Sequence, residues 1–309
     1  MSYAFVFPGQ GSQSVGMLNE LAEVNPIVQE TFKEASDELG YDLWEIVSQG
    51  PEEKLNKTEI TQPAMLTAGI AVLKVLEGKS DLAPSFYAGH SLGEYTALVA
   101  SGAMTLAQGV KLVEKRGILM QTAVPAGHGA MAAILGLDDD VIVEICNKAD
   151  GVVEAVNFNS PGQVVIAGEK DAVNHALPSF EEAGAKRVVP LAVSVPSHCS
   201  LMKMASEALK SELEKMELLS YVRPVIHNAT VESYVNQADV KSALVKQLFQ
   251  PVQWVKTVEK MKEKGVEQLF EIGPGKVLMG LNRRIDRKMG MQAVFDNATV
   301  EKALLLLEH

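Results

Sequence analysis

The chain has 309 residues, 47% of them hydrophobic, enough for one large domain or two of unequal size. Its net charge of −11 speaks against general nucleic-acid binding, which needs a basic surface to meet phosphates, and both signs of charge are spread along the chain rather than blocked as in a disordered tail. Two cysteines, Cys146 and Cys199, make no disulfide framework and fit a reducing compartment, and no CxxC or HExxH pattern offers a metal site.

Tyr3 to Phe7 reads as a buried strand. The opening residues hold no lysine or arginine and Pro8 breaks the apolar run, so this is not a signal peptide. No apolar run is expected to reach the roughly 18 residues that span a bilayer. A cytoplasmic protein with no membrane or nucleic-acid partner is the expectation. The glycine-rich loop Pro8-Gly9-Gln10-Gly11-Ser12-Gln13 follows, then a helix that Asn25 can cap, Pro26 can open and Gly40 can end. Its apolar positions Val28, Phe32, Ala35 and Leu39 fall on one helical face.

Ser85 to Ala88 is a short strand candidate and Glu94 to Ala100 reads as helical. Thr105-Leu106-Ala107-Gln108 has the form of a capping box that opens another helix. Met131 to Leu135 predicts a strand, Asp138 to Lys148 a helix, and Val152 to Phe158 and Val164 to Ala167 two strands about the turn Asn159-Ser160-Pro161-Gly162. Asp171 to Ala183 predicts a helix stopped by Gly184, and Arg187 to Leu191 a last strand. This βαββαβ order is that of a ferredoxin-like unit. It predicts a small inserted α+β domain over 126–194, splitting an α/β domain of 1–125 and 195–309, with a cleft between them. Val225 to Asn228 suggests a further strand. Val252 to Lys264 predicts an amphipathic helix, Glu267 to Ile272 a strand, and Gly273-Pro274-Gly275 a turn into a helix from about residue 276. The final Leu307-Glu308-His309 reads as the start of an appended tag, which removes His309 from the chemistry.

Gly89-His90-Ser91-Leu92-Gly93 matches G-x-S-x-G between a strand and a helix. Such a turn holds a serine exposed, and glycines two residues to either side let the chains pass. The helix start supplies partial positive charge and free amides, so the Leu92 N–H could bind an oxyanion. Ser91 is therefore the candidate nucleophile, and it needs a base. His90 adjoins it, but on a sharp turn its side chain is expected to point elsewhere. His128 and His175 fall in the small domain and His227 in a strand. His198, in Val195-Pro196-Ser197-His198-Cys199, falls where the chain re-enters the large domain and is preferred. No acid completes a triad.

On the helix from Thr105 the apolar stripe is Leu106, Val110, Val113, Gly117 and Met120. At about 100° per residue Arg116 lies about 80° from its centre, with Lys115 nearly opposite the stripe. An arginine there can reach inward to a carboxylate or snorkel out to water.

The chain resembles bacterial malonyl-CoA:acyl carrier protein transacylases of fatty acid synthesis. The resemblance rests on Phe7-Pro8-Gly9-Gln10-Gly11-Ser12-Gln13, Thr61-Gln62-Pro63-Ala64, Gly89-His90-Ser91-Leu92-Gly93-Glu94, Arg116-Gly117, Asn157-Phe158-Asn159-Ser160-Pro161-Gly162-Gln163, Val195-Pro196-Ser197-His198, Asn228 and Glu271-Ile272-Gly273-Pro274-Gly275. It implies a hydrolase-like, mostly parallel α/β domain interrupted by a ferredoxin-like α+β domain. It implies a Ser91–His198 dyad, with His198 oriented by a main-chain carbonyl in Gln247 to Gln250, that of Gln247 first. Gln10 would add a second oxyanion amide beside Leu92, and Arg116 would bind the malonyl carboxylate. Gln62, Asn157 and Asn159 would line the cleft.

Ser197 stands where related polyketide-synthase domains often carry phenylalanine, and it leaves space that phenylalanine would fill. The implied activity is ping-pong malonyl transfer from malonyl-CoA to the phosphopantetheine thiol of acyl carrier protein, by a monomer, without metal or redox cofactor. A serine thioesterase or hydrolase shares the same elbow and histidine, and a non-catalytic binder of the carrier protein would need neither. Acyl carrier proteins are acidic, so docking on this acidic chain calls for a local basic patch. Asn282-Arg283-Arg284-Ile285-Asp286-Arg287-Lys288 is the densest candidate and Lys186-Arg187 the second.

Overall fold

The computed structural model describes residues 2–125, 127–192, 195–220 and 223–308. Ala126 and Ser194, the expected edges of the insertion, lie outside the described residues, as does His309. Strand β1 (Tyr3–Phe7) is nearly all apolar, as a strand covered on both faces must be. Its alternation divides two cores: Phe5 and Phe7 enter one, Ala4 and Val6 the other. Strand β2 (Phe86–Gly89) pairs with it in parallel. Strands β3 (Gly129–Leu135), β4 (Val153–Ser160), β5 (Gln163–Glu169) and β6 (Arg187–Pro190) build a second sheet, and β7 (Val225–Ile226), β8 (Gln268–Ile272) and β9 (Gly290–Val294) return to the first.

The first sheet is parallel, in the order β7-β2-β1-β8-β9. The second is antiparallel, in the order β4-β5-β3-β6, the ferredoxin-like arrangement. Its own core joins Ile134, Val164 and Ile166 to Ile142 and Phe180 of two covering helices.

Helices α1 (Asn19–Val24), α2 (Ile27–Leu39), α3 (Leu43–Gln49), α4 (Glu52–Leu55) and α5 (Thr58–Glu77) connect β1 to β2. Then come α6 (Leu92–Ala100) and α7 (Leu106–Ala123), and, over the second sheet, α8 (Asp139–Lys148) and α9 (Lys170–Glu182). The last part carries α10 (Lys203–Lys215), α11 (Gln237–Phe249), α12 (Trp254–Glu263), α13 (Val277–Ile285) and α14 (Asn297–Leu307).

The capping box on α7 forms as expected, with Gln108 N–H donating to Thr105 Oγ1 and Thr105 N–H to Gln108 Oε1. Asn25 does not cap α2. Its Nδ2 donates back to Leu21 O and closes α1, so Pro26 takes the cap position. α5 also departs from expectation: by length and composition it could cross a membrane. Its most apolar stretch is 83% buried instead, packed against α2, α6 and α7.

The helix expected from Val252 begins at Trp254, because Val252 is committed to the second sheet. Its N–H donates to Val156 O, and its carbonyl accepts from Phe158 N–H. This pair of main-chain bonds joins β4 to the loop ahead of α12. The carboxyl ends of β1 and β2 therefore face the second sheet across a cleft, at the edge where open parallel sheets place their ligands.

Candidate active site

Ser91 sits in the turn between β2 and α6 with φ 52° and ψ −109°, a conformation that costs a non-glycine residue about 1–3 kcal/mol. Two close approaches hold it there. A Cβ on Gly89 would lie 2.0 Å from the Gly93 carbonyl, and one on Gly93 would lie 2.1 Å from Phe7 O. Nothing larger than hydrogen fits at either. The turn also leaves main-chain groups without partners, and Asn228 supplies them from beyond β7. Its Oδ1 accepts from Ser91 N–H at 2.7 Å, and its Nδ2 donates to Gly89 O at 2.6 Å. Strand β7 ends at Ile226, two residues short of the expected strand, which frees Asn228 for this task.

His198, in the segment that follows the second sheet, meets Ser91 in the cleft. Its Nε2 is 2.8 Å from Ser91 Oγ, and its Nδ1 is 2.6 Å from Gln247 O at the end of α11. A carbonyl only accepts, so the proton resides on Nδ1 and Nε2 is free to take one from the serine. The His198 N–H also donates to Leu248 O. Burial, with Arg116 nearby, pushes the imidazole down to about 3, while the Gln247 carbonyl pulls the other way. The ring is thus held neutral, as a base must be. No carboxylate bonds it among the described residues. The neighbouring Cys199 is buried, its thiol pushed up to about 12 by burial, and its Sγ donates to Pro196 O.

Arg116 points inward and is 1% exposed, while Lys115 beside it is exposed. The snorkelling alternative fails because α7 packs directly on the start of α5: a Cβ on Gly117 would lie 2.8 Å from Glu59 Cα. Nη1 donates to Gln62 Oε1 at 2.9 Å, and Nη2 donates to Gln247 Oε1 at 3.0 Å and Ser91 Oγ at 3.3 Å. The guanidinium lies over the Tyr95 ring, 5.1 Å from its centroid. Nε has no partner, and no carboxylate pairs with Arg116 among the described residues. Burial pushes its pKa down, opposed by Tyr95 and Glu94.

A cavity of about 790 Å³ opens between the sheets, lined by Gln10, Ser91, Leu92, Arg116, Asn157 and His198. Leu92 is the first residue of α6, where an amide has no partner within the helix. The Oδ1 of Asn157 is buried without a partner. Two expected lining residues stand one layer back. Gln62 is buried behind the guanidinium, and Asn159 Oδ1 accepts from His90 Nε2–H, 2.7 Å away. His90 points away from Ser91, as expected: its ring bonds Asn159 and packs 5.7 Å from Trp254, though the residue is among those lining the cavity. Burial lowers its pKa, against the Asn159 bond.

Beneath the elbow lies a group that sequence reasoning did not reach. Glu94 and His227 are both fully buried, and His227 Nδ1 is 2.7 Å from Glu94 Oε1. The nearest signal was Glu94 in the first turn of α6, where an acidic residue is ordinary. Of the basic run, Arg283, Arg284, Arg287 and Lys288 are exposed, as are Lys186 and Arg187. Arg284 Nη1 donates to Gln163 Oε1 on β5.

The chain is 54% identical to the malonyl CoA-acyl carrier protein transacylase of Escherichia coli K12 over 306 residues, 98% of this chain and 99% of that one. It superposes on an acyl carrier protein S-malonyltransferase from Vibrio cholerae with a TM-score of 0.96, at 52% identity and covering 98% of this chain and all of that one. A malonyl-transacylase solved in complex with a type II polyketide acyl-carrier protein gives a TM-score of 0.98 at 53% identity, covering 99% of this chain and all of that one. The acyl transferase domain family matches residues 4–294. This chain belongs to that family and, within it, to the malonyl CoA-acyl carrier protein transacylases.

Proposed function

We propose that the chain moves the malonyl group of malonyl-CoA to the phosphopantetheine thiol of acyl carrier protein, through an ester on Ser91. One observation carries the choice of cargo: a wholly buried guanidinium, 3.3 Å from Ser91 Oγ, with no carboxylate bonded to it among the described residues. A malonyl carboxylate supplies that partner. The other lining groups suit the chemistry. His198 Nε2 takes the Ser91 proton as Oγ attacks the thioester carbonyl. The resulting oxyanion falls to the amides of Leu92 and Gln10, where losing one donor typically costs about 10²–10³ in rate. The C–S bond breaks, coenzyme A leaves with the proton from His198, and malonyl-Ser91 stays. The carrier thiol then gives its proton to His198 and attacks the ester carbonyl; the bond to Ser91 Oγ breaks, the malonyl group leaves on the carrier sulfur, and His198 returns the proton to Ser91 Oγ.

No step calls on a metal or redox cofactor. Ser91, His198 and Arg116 come from one chain, which supports action as a monomer. Two free, buried cysteines suit a reducing, cytoplasmic setting. Intact mass spectrometry after mixing with malonyl-CoA tests the reading. A malonyl adduct, absent in Ser91→Ala and discharged by carrier-protein thiol faster than by water, is expected. No adduct points to a mere binder, and rapid discharge by water to a hydrolase.

A further inference from the structure

Gln247 serves the site twice. Its main-chain carbonyl orients His198, and its side chain lies between the elbow and Arg116. A carboxamide can sit in two senses that differ by exchange of oxygen and nitrogen. Here every partner demands one of them. Oε1 faces Arg116 Nη2, which can only donate. Nε2 faces Ser91 O at 2.8 Å and Glu94 Oε2 at 2.9 Å, which accept. Reversal would set an amino group against the guanidinium and oxygen against oxygen.

Glu94 is itself buried and bonded through both oxygens. Its Oε2 also accepts from Asn228 N–H at 2.9 Å, while Oε1 is bonded by His227 Nδ1 at 2.7 Å. His227 Nε2 has no partner among the described residues, so the proton on Nδ1, facing Glu94, is the one that is bonded. The carboxylate has no contact with the cavity and none with Ser91 Oγ or His198. It cannot act on the reacting atoms directly.

We propose that Glu94 is a positioning residue for acyl selectivity: anchored by His227 and Asn228, it sets the sense of the Gln247 side-chain amide, and that amide holds Arg116 where it meets the substrate carboxylate. The inference rests on the malonyl-transfer reading above. Its mark is selective. Transfer of an acyl group with no carboxylate needs Ser91, His198 and the oxyanion amides, but not the aim of Arg116.

Two conservative variants separate reach from charge. Glu94→Gln keeps the length. Its oxygen can accept from Asn228 and Gln247, and its nitrogen can donate to His227 once that ring carries its proton on Nε2. Glu94→Asp keeps the charge but withdraws it by a methylene, beyond reach of Gln247. Ser91 acylation is followed by quenched-flow intact mass spectrometry with malonyl-CoA and with acetyl-CoA, on variants checked for native circular dichroism.

The expected malonyl-to-acetyl rate ratio falls roughly tenfold in Glu94→Asp, the scale of one charge-assisted hydrogen bond, and stays within about threefold of wild type in Glu94→Gln. The opposite pattern, an unchanged ratio in both, or an equal loss in both overturns the proposal. Should Glu94→Asp not fold, Gln247→Leu takes its place, since it keeps the carbonyl that orients His198. The same fall in ratio is expected there, and a retained ratio overturns the proposal. Wild-type protein in the same assay separates the two ideas: no malonyl adduct on it rejects the malonyl-transfer reading itself.

Discussion

Replacing Arg116 by alanine should change what the site prefers more than how fast it works. The guanidinium is 1% exposed and spends its Nη groups on Gln62, Gln247 and Ser91, leaving Nε free. A malonyl carboxylate brought into the same dry pocket of an alanine variant has no countercharge. A hydrogen bond to a charged group contributes about 1.5–3 kcal/mol, so malonyl acylation should drop about 10–150-fold relative to acetyl acylation. Some loss is common to both substrates, because Nη2 also donates to Ser91 Oγ and Arg116 lowers the His198 pKa. The ratio cancels that part. Pre-steady-state acylation of Ser91, with each acyl-CoA at several concentrations, gives the ratio from kcat/KM. Equal falls with malonyl and acetyl would refute the assignment, whatever their size.

With the imidazole of His198 held down to about 3, acylation should stay level from pH 8 to pH 5, and an inflection near the ordinary histidine value of 6.5 would contradict a neutral buried base. The same depression has a stability sign: between 6.5 and 3 the unfolded chain binds a proton at His198 that the folded one does not, so this group's contribution to stability declines as pH falls through that window, as urea titrations at stepped pH will show. Gly93→Ala drives a Cβ to 2.1 Å from Phe7 O and should cost about 3 kcal/mol or more, read as a lowered Tm with loss of acylation. Reversing charge at Arg283 and Arg284 should raise the apparent KM for carrier protein and leave that for malonyl-CoA alone; equal effects on both would exclude this patch.

The elbow was legible because its requirements are local. Gly89, Ser91 and Gly93 touch one another and β1, and strand, turn and helix follow in order. The second sheet was legible for the same reason, since its strands and helices are short and cleanly punctuated. Arg116 was half legible: periodicity places it at the margin of the stripe, but only the packing of α7 on α5 decides which way it turns. The groups that hold the site come from far off. Gln62 is 54 residues from Arg116, Asn228 is 137 from Ser91, and Gln247 is 156 from Ser91. No spacing rule reaches that distance, and Gln247 acts on His198 through its main chain, which any residue possesses. α5 escaped for the opposite reason: buried all round, it has no polar face to mark its period.

The paired main-chain bonds between Val156, Phe158 and Val252 bear on how the cleft works. They fasten one jaw of a vise to the frame that carries the other. Glu154, two residues before Val156, adds a bolt by accepting from Ser200 N–H just past His198. These fastenings favour a slot of set gap over one that clamps down on arrival. A long, pliant carrier arm must thread itself in. Changes of cargo would then come from the side chains that floor the slot, Arg116 and Ser197 first, and not from altered closure. The amides of Phe158 and Val252 should exchange with deuterium at the same rate whether the slot is empty or loaded.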